Sequence, residues 1–399
     1  MYVVAKCDHV LLYLQLDKIG YKMDIPKKIS GEQGRTMSQK LDFESPVHHR
    51  MNQLLSAIDT FKGSWKILEQ NKSGYLKELR KIATIESIGS STRIEGATLT
   101  DAEVEKLLRS VKITKFTTRN QQEVIGYYEA LQIILDNYED ITLTERYVHQ
   151  LHGILLKHSH KDQTHKGKYK NLSNQVVANY PDGTQRTIFR TTEPHLTASE
   201  METLLLWTGE RLKENDLHPI LIVAAFVYEF LSIHPYQDGN GRLSRLLTTL
   251  LLMKLDYQFI QYVSFEHVIE SRKDDYYRAL MDGQKNRYKN EERIEKWVLF
   301  FLESLIELTK RLEAKYERYS KLKVGINERQ QKIIAFVKKK STAQINEIES
   351  HLADTSRNTI KKDLAYLVNE GLLMKAGAGR GARYHIEKKN KSHAQPPTR

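Results

Sequence analysis

Apolar residues recur at intervals of three and four along most of this chain, the spacing of one helix face. Only 8 prolines interrupt its 399 residues. The pattern predicts a mainly α-helical protein. Residues 44–80 read as one helical stretch. The segment KIATIESIGSSTRIEG reads as a helix whose last turn ends at Gly96, a residue suited to the left-handed C′ position. TLTDAEVEKLL restarts a helix with Thr100 or Asp101 as N-cap. Residues 117–137, 143–157 and about 291–320 predict three more helices. Two segments are apolar nearly all round, Ile220 to Ile233 and Arg242 to Leu255, and so predict buried central helices. NQVVANYPDGTQRTIF (Asn174 to Phe189) breaks the helical period. It sets Pro181-Asp182-Gly183 between two β-prone arms, a hairpin signal.

Beyond residue 325 the pattern changes. ERQQKIIAFVKKK, TAQINEIESHL and SRNTIKKDLAYLVNEGLL read as three helices, and LLMKAGAGRGARYHI as two short strands around a glycine-rich turn. The net charge of +12 is concentrated here. Lys321 to Arg399 carry 17 Lys+Arg against 7 Asp+Glu, a net of +10, which leaves +2 for the 320 residues before them. An anionic partner is therefore expected for this segment, not for the whole chain. One cysteine, Cys7, excludes an internal disulfide or a cysteine zinc site and fits a cytoplasmic protein. No stretch has the length or apolarity to span a bilayer, so no membrane partner is expected. The chain divides into a poorly constrained arm (1–43, with Met37 as an alternative start), an N-terminal helical region (44–115), a helical core (116–312), a small basic domain (325–387) and a basic tail (388–399).

The one polar loop between the two buried helices is HPYQDGNG, and with the first helical turn after it the stretch reads HPYQDGNGRLSR, His234 to Arg245. Gly239, Asn240 and Gly241 open the second helix. There, backbone N–H groups lack intrahelical partners and the dipole favours anions. Glycines let the backbone approach a ligand closely, so the three residues make a phosphate nest. Arg242 and Arg245 lie three apart beside it, two guanidiniums suited to a polyphosphate. Asp238 is a hard oxygen ligand suited to Mg²⁺. His234 is placed to accept a proton from an incoming hydroxyl. The set is an inventory for phosphoryl or nucleotidyl transfer.

This stretch resembles the signature of the Fic family, HPFx(D/E)GNGRxxR, with Tyr236 in place of the usual Phe. The resemblance implies a helical Fic core that transfers AMP from ATP, with Mg²⁺, to a hydroxyl side chain of a target protein. On this pattern His234 is the general base and Asp238 the metal ligand. The Gly239–Gly241 amides hold the α- and β-phosphates, Asn240 faces them, Arg242 binds the nucleotide phosphates and Arg245 the γ-phosphate. Gly241 favours AMP transfer, whereas Doc toxins of the same superfamily carry Lys here and phosphorylate. The hairpin at 174–189 falls where the family places its target-docking flap, and GKYK (Gly167 to Lys170) resembles the family's GxYR. DDYYRALMDGQ resembles the segment bordering the adenine, which makes Tyr276, Tyr277 and Gln284 nucleotide-site candidates.

Ser91 and Glu95, in STRIEG, are four apart and share a helix face. With Gly96 they resemble the family's inhibitory motif, (S/T)xxxE(G/N). The resemblance implies that Glu95 pairs with Arg245 in the space of the γ-phosphate and that Ser91 holds the inhibitory helix. It also implies a homodimer and self-modification. The basic C-terminal segment resembles a winged helix-turn-helix. Arg357, Asn358, Lys361 and Lys362 would lie on its recognition helix, with Arg380 and Arg383 on the wing, as candidate contacts to duplex DNA. Two other functions stay open: removal of AMP or transfer of another phosphate-linked group on the same site, and a DNA-binding regulator whose core senses nucleotide. His149, His152, His158, His160 and His165 cluster in sequence, but they lack a regular ligand spacing or thiolates and do not read as a metal site.

Overall fold

The computed structural model describes residues 35–70, 74–110, 116–179, 185–323, 327–369, 372–377 and 379–386. Its elements in chain order are α1 (Met37–Lys40), α2 (Ser45–Gln70), α3 (Gly74–Ile94), α4 (Asp101–Arg109), α5 (Arg119–Asn137), α6 (Glu145–Leu155), β1 (Gln175–Asn179), β2 (Gln185–Arg190), α7 (Pro194–Glu214), α8 (Pro219–Ile233), α9 (Asn240–Lys254), α10 (Phe265–Ser271), α11 (Lys273–Gln284) and α12 (Glu295–Lys323). The basic segment follows as α13 (Glu328–Lys340), β3 (Thr342–Gln344), α14 (Ile345–His351), α15 (Arg357–Asn369), β4 (Met374–Ala376) and β5 (Arg383–His385).

Helices α8 and α9 form the centre, as their apolar circumference predicts. Every residue from Ile222 to Ile233 and from Arg242 to Met253 is buried. Their packing partners are α7 and α12 for α8, and α3, α5 and α6 for α9. The expected stretch over 44–80 is described as α2 and the start of α3, and residues 71–73 between them lie outside the described residues. The start of α4 follows its sequence: the Thr100 side chain accepts from Glu103 N while Glu103 reaches back to Thr100 N, a capping box.

Residues 36–43 were expected as the end of a poorly constrained arm. They pack on the core instead. Leu41 and Phe43 are buried, and the Lys40 ammonium is buried between Glu229 and Glu292. Arg287 shares Glu229 at 2.9 Å and also binds Glu200 at 2.8 Å, so the buried charges are paired.

Strands β1 and β2 pair antiparallel with a register shift between Val176 and Val177, forming the expected hairpin. Its turn, Pro181 to Gly183, lies outside the described residues. The basic segment has its own core, built on Ile333, Val337, Ile348, Ile360, Leu364 and Leu367. Thr342–Gln344, expected within a helix, is a strand. Its sheet has the order β3-β5-β4, so the two expected strands gain a third. Alternating Thr342, Ala343 and Gln344 bury only Ala343, the period of a strand. Among the described residues no helix is long and apolar enough to cross a membrane.

Candidate active site

Helix α8 ends at His234, which takes a left-handed conformation (φ 53°, ψ 60°) as its C-cap. Such a conformation is uncommon for a residue with a Cβ and is held only where surroundings over-determine it. Here the chain turns straight into the loop 235–239 and back into α9. Asn240 closes that loop: its Oδ1 accepts from Tyr236 N at 2.9 Å and its Nδ2 donates to Tyr236 O at 2.7 Å. The Asn240 side chain, expected to face phosphates, is therefore spent on the loop, and what it offers an anion is its backbone N–H. Gly239 caps α9 at φ 83°, a region that favours glycine.

The His234 ring accepts no proton from a carbonyl, so its contact with Leu231 O at 3.3 Å puts the hydrogen on Nδ1 and leaves the lone pair on Nε2. Burial lowers the imidazole to about 4, against the raising effects of the Leu231 carbonyl, Glu95 and Asp238. The ring is neutral near pH 7 and able to take a proton.

Both arginines of the motif are buried. Arg242 lies 3.0 Å from Asp238 and 3.5 Å from Glu123. Among the described residues its Nε and one terminal nitrogen have no hydrogen-bond partner. Arg245 donates to Ser91 Oγ and Ser91 O, both at 2.8 Å, and to Glu95 Oε1 at 2.9 Å. Its remaining terminal nitrogen is likewise unpartnered among the described residues. Buried guanidinium N–H groups without acceptors are costly unless an anion arrives.

Glu95 reaches the loop because α3 stops in time. Gly96 sits at φ 100°, its N–H bonds to Arg93 O, and Ala97 N bonds to Thr92 O, the paired bonds of a Schellman end. Burial pushes the Glu95 carboxyl up, but Arg245 and Arg242 outweigh it and hold the group below the usual carboxylate range. A Cβ placed on Gly241 would stand 2.1 Å from Glu95 Oε1, so only glycine admits the carboxylate there. Glu95, His234, Asp238, Gly239, Asn240, Gly241, Tyr276, Tyr277 and Gln284 line one cleft with Leu231, Leu280 and Met281. That brings together Glu95 of one motif, His234 and Asp238 to Gly241 of the other and the three adenine-site candidates, while Ser91, Gly96, Arg242 and Arg245 do not line the cleft. Ser91 lies behind Arg245, and Gln284 is held by its bond to Ser232 Oγ at 3.1 Å.

Three supports were not read from sequence as such. His152, one of the five clustered histidines, accepts from Gly167 N at 2.8 Å and donates through Nε2 to Asp238 O at 2.9 Å, stacked on Tyr236 at 3.7 Å. Burial lowers it to about 4, so it is a neutral brace for the loop. His149 meets the Tyr236 hydroxyl at 2.8 Å, which explains how Tyr replaces Phe in the apolar slot. Lys170 is buried and donates to Asn174 Oδ1, Thr191 Oγ1 and Ile233 O at 2.8–3.0 Å, joining both legs of the hairpin to the residue before His234. The signal for all three was their spacing from the loop along α6 and the GKYK turn, which period analysis does not weigh. Of the remaining three histidines, His158 pairs with Glu129 and His165 with Asp162.

Asp238 fits a divalent cation carried in with phosphates. Oδ1 accepts from Gly239 N at 2.6 Å and Arg242 at 3.0 Å, while Oδ2 accepts from Lys161 at 3.1 Å. Among the described residues no group of three or more His, Cys, Asp or Glu is placed to hold a metal alone. A single carboxylate plus substrate phosphates is the usual Mg²⁺ arrangement.

In the basic segment, Arg357, Asn358, Lys361 and Lys362 all lie exposed on α15, and Arg383 is exposed on β5. Arg357 is paired with Glu349. The Arg380 side chain lies outside the described residues.

Residues 142–252 match the Fic/DOC family, and residues 329–382 match a DeoR-like helix-turn-helix domain. The chain is 27% identical over 205 residues to the protein adenylyltransferase Fic of Drosophila mojavensis, covering 51% of this chain and 38% of that protein. To the same-named protein of Drosophila grimshawi it is 28% identical over 184 residues, 46% of this chain and 35% of that one. The chain thus spans well under half the length of these relatives. A Fic family protein from Desulfovibrio desulfuricans G20 shares the fold over 88% of this chain and 98% of its own, with TM-score 0.57 and 22% identity. A Fic domain-containing signaling protein from Bacteroides thetaiotaomicron does so over 64% and 97%, with TM-score 0.53 and 23% identity.

Proposed function

Given a chain with a Fic/DOC-family domain, a DeoR-like helix-turn-helix domain and homology to Fic adenylyltransferases, we propose that it is an autoinhibited protein adenylyltransferase. It transfers AMP from ATP to a Tyr, Thr or Ser hydroxyl of a target protein, and to itself. The observation that carries this reading is the 2.9 Å contact of Glu95 with Arg245 beside the Gly239–Gly241 amides. That contact uses a guanidinium otherwise suited to a phosphate. With Glu95 seated, the triphosphate cannot take the pose for in-line attack, and misplacement of this kind costs rate steeply.

With Glu95 displaced, the chain's own groups divide the work. The Gly239 amide is spent on Asp238, so the Asn240 and Gly241 amides, the Arg242 Nε and the open terminal nitrogen of Arg245 hold the phosphates and offset charge on the leaving pyrophosphate. His234 Nε2 takes the proton of the hydroxyl as its oxygen bonds to the α-phosphorus. The hairpin presents that hydroxyl by pairing with the target backbone. Asp238 would hold Mg²⁺, which when bound neutralises phosphate oxygens. The exposed basic face of α15 supports a second role, duplex DNA binding by the C-terminal domain.

The test is intact-protein mass after incubation with ATP and Mg²⁺, comparing the parent, Glu95→Gly and Glu95→Gly/His234→Ala. Gain of whole adenylyl groups in Glu95→Gly, little in the parent and none in the double variant, is expected. Equal labelling of the parent and Glu95→Gly would sink the inhibitory assignment.

A further inference from the structure

The two oxygens of Asp238 have different surroundings. Oδ1 is taken, by Gly239 N and Arg242. Oδ2, the oxygen left for a hard cation, faces two cations that belong to neither motif. Lys161 Nζ stands 3.1 Å away, from the loop after α6, and Arg119 3.5 Å away, from the first turn of α5. Arg119 has a second carboxylate, Glu123, at 2.7 Å. Among the described residues Lys161 has no other hydrogen-bond or ion-pair partner.

We propose that Lys161 is an exchangeable counter-ion of Asp238: it neutralises the outer carboxylate oxygen in the resting cleft, gives it up when a divalent cation is bound with nucleotide, and so sets the divalent-ion concentration the site requires. The proposal rests on reading the cleft as an ATP·Mg²⁺ site.

Three observations support it. An ammonium at 3.1 Å and a hard dication on one carboxylate oxygen repel each other, so each weakens the other's hold. The Lys161 side chain is 58% exposed, so its pairing is of the weak, screened kind and its departure costs little. The Asp238 side chain is only 23% exposed and is fixed from the inside, so the carboxylate stays while the ammonium leaves. Arg119 has Glu123 as a second partner at 2.7 Å, so unlike Lys161 it is not held by Asp238 alone.

The test uses full-length protein with Glu95→Gly, so that the phosphates are free to seat. Binding of α,β-methylene-ATP is measured by calorimetry across a Mg²⁺ series for this parent, for added Lys161→Gln and for added Lys166→Gln. Lys166 lies on the same loop and carries the same charge, but it bonds to Gln163, not Asp238. Lys161→Gln is expected to lower the half-saturating Mg²⁺ concentration about two- to fivefold, the range of an exposed ion pair. Affinity at saturating Mg²⁺ should match the parent, and Lys166→Gln should leave the midpoint in place. An unchanged midpoint in Lys161→Gln, or an equal shift in Lys166→Gln, overturns the counter-ion and leaves the site reading intact. Nucleotide binding that ignores Mg²⁺ in the parent overturns both.

Discussion

The strength of the brake should depend on Arg93, the residue between Ser91 and Glu95 that faces away from the cleft. Its guanidinium grips Glu270 of α10 through two bonds, at 2.6 and 2.9 Å, and Asp101 at 2.8 Å, with a further bond to Leu99 O at 3.0 Å. Lys273 adds a bond to Ile94 O at 2.8 Å. These contacts seat the last turn of α3, and with it the Glu95 carboxylate. Charge-assisted bonds contribute about 1.5–3 kcal/mol when buried and less than about 1 kcal/mol when exposed. The Arg93 and Glu270 side chains are 22% and 25% exposed, which points between those ranges. Arg93→Ala should then shift the ratio of released to seated helix end by about 1.4 kcal/mol, roughly tenfold. The assay is self-labelling with ATP and Mg²⁺, read by intact mass against time, with thermal unfolding in parallel. Arg93→Ala is expected to label about tenfold faster than the parent and slower than Glu95→Gly. Added to Glu95→Gly, it should change nothing. Acceleration of the same size in the Glu95→Gly background would refute the reasoning, because the effect would then bypass the carboxylate. A lowered melting temperature with no gain in rate would reduce Arg93 to a structural tie.

Three further outcomes are expected. Burial lowers the Lys170 amine to about 8, so between that value and the unfolded one, near 10.5, the folded chain binds fewer protons than the unfolded chain. This group's contribution to stability therefore rises with pH across that window. Transfer should fall over the same rise as the hairpin loses a donor, and Lys170→Arg should move that limb upward, as a pH–rate profile would show. Tyr236→Phe removes the hydroxyl that meets His149 and should cost about 1 kcal/mol, seen as a lower denaturation midpoint, while labelling by Glu95→Gly protein persists. If the exposed face of α15 binds duplex DNA, Lys361→Gln and Lys362→Gln in the full chain should each reduce the slope of log affinity against log salt by about one.

The parts legible in sequence were those with a strong period or a dense motif. The buried pair α8 and α9 followed from apolar residues on every side, and the hairpin from β-prone arms around a turn. The pairing of Glu95 with Arg245 is 150 residues long-range, and only the family resemblance linked the two. What escaped had a physical cause. Thr342–Gln344 is too short for its alternation to compete with the helical spacing around it, and it becomes a strand only because β5 arrives to pair with it. Residues 36–43 carry little periodicity, and their order comes from partners near 229 and 292 that no local window contains. Lys161 and Arg119 sit in ordinary polar surroundings in sequence. Only folding brings them to Asp238.

A Cβ on Gly241 would stand 2.1 Å from Glu95 Oε1, the free end of a flexible side chain. Any larger residue there displaces that carboxylate first. The proposed switch can therefore be released from either side of the cleft, by changes in the distant α3 segment or by one change on the loop. Over evolutionary time, the seated brake rests on a single absent side chain.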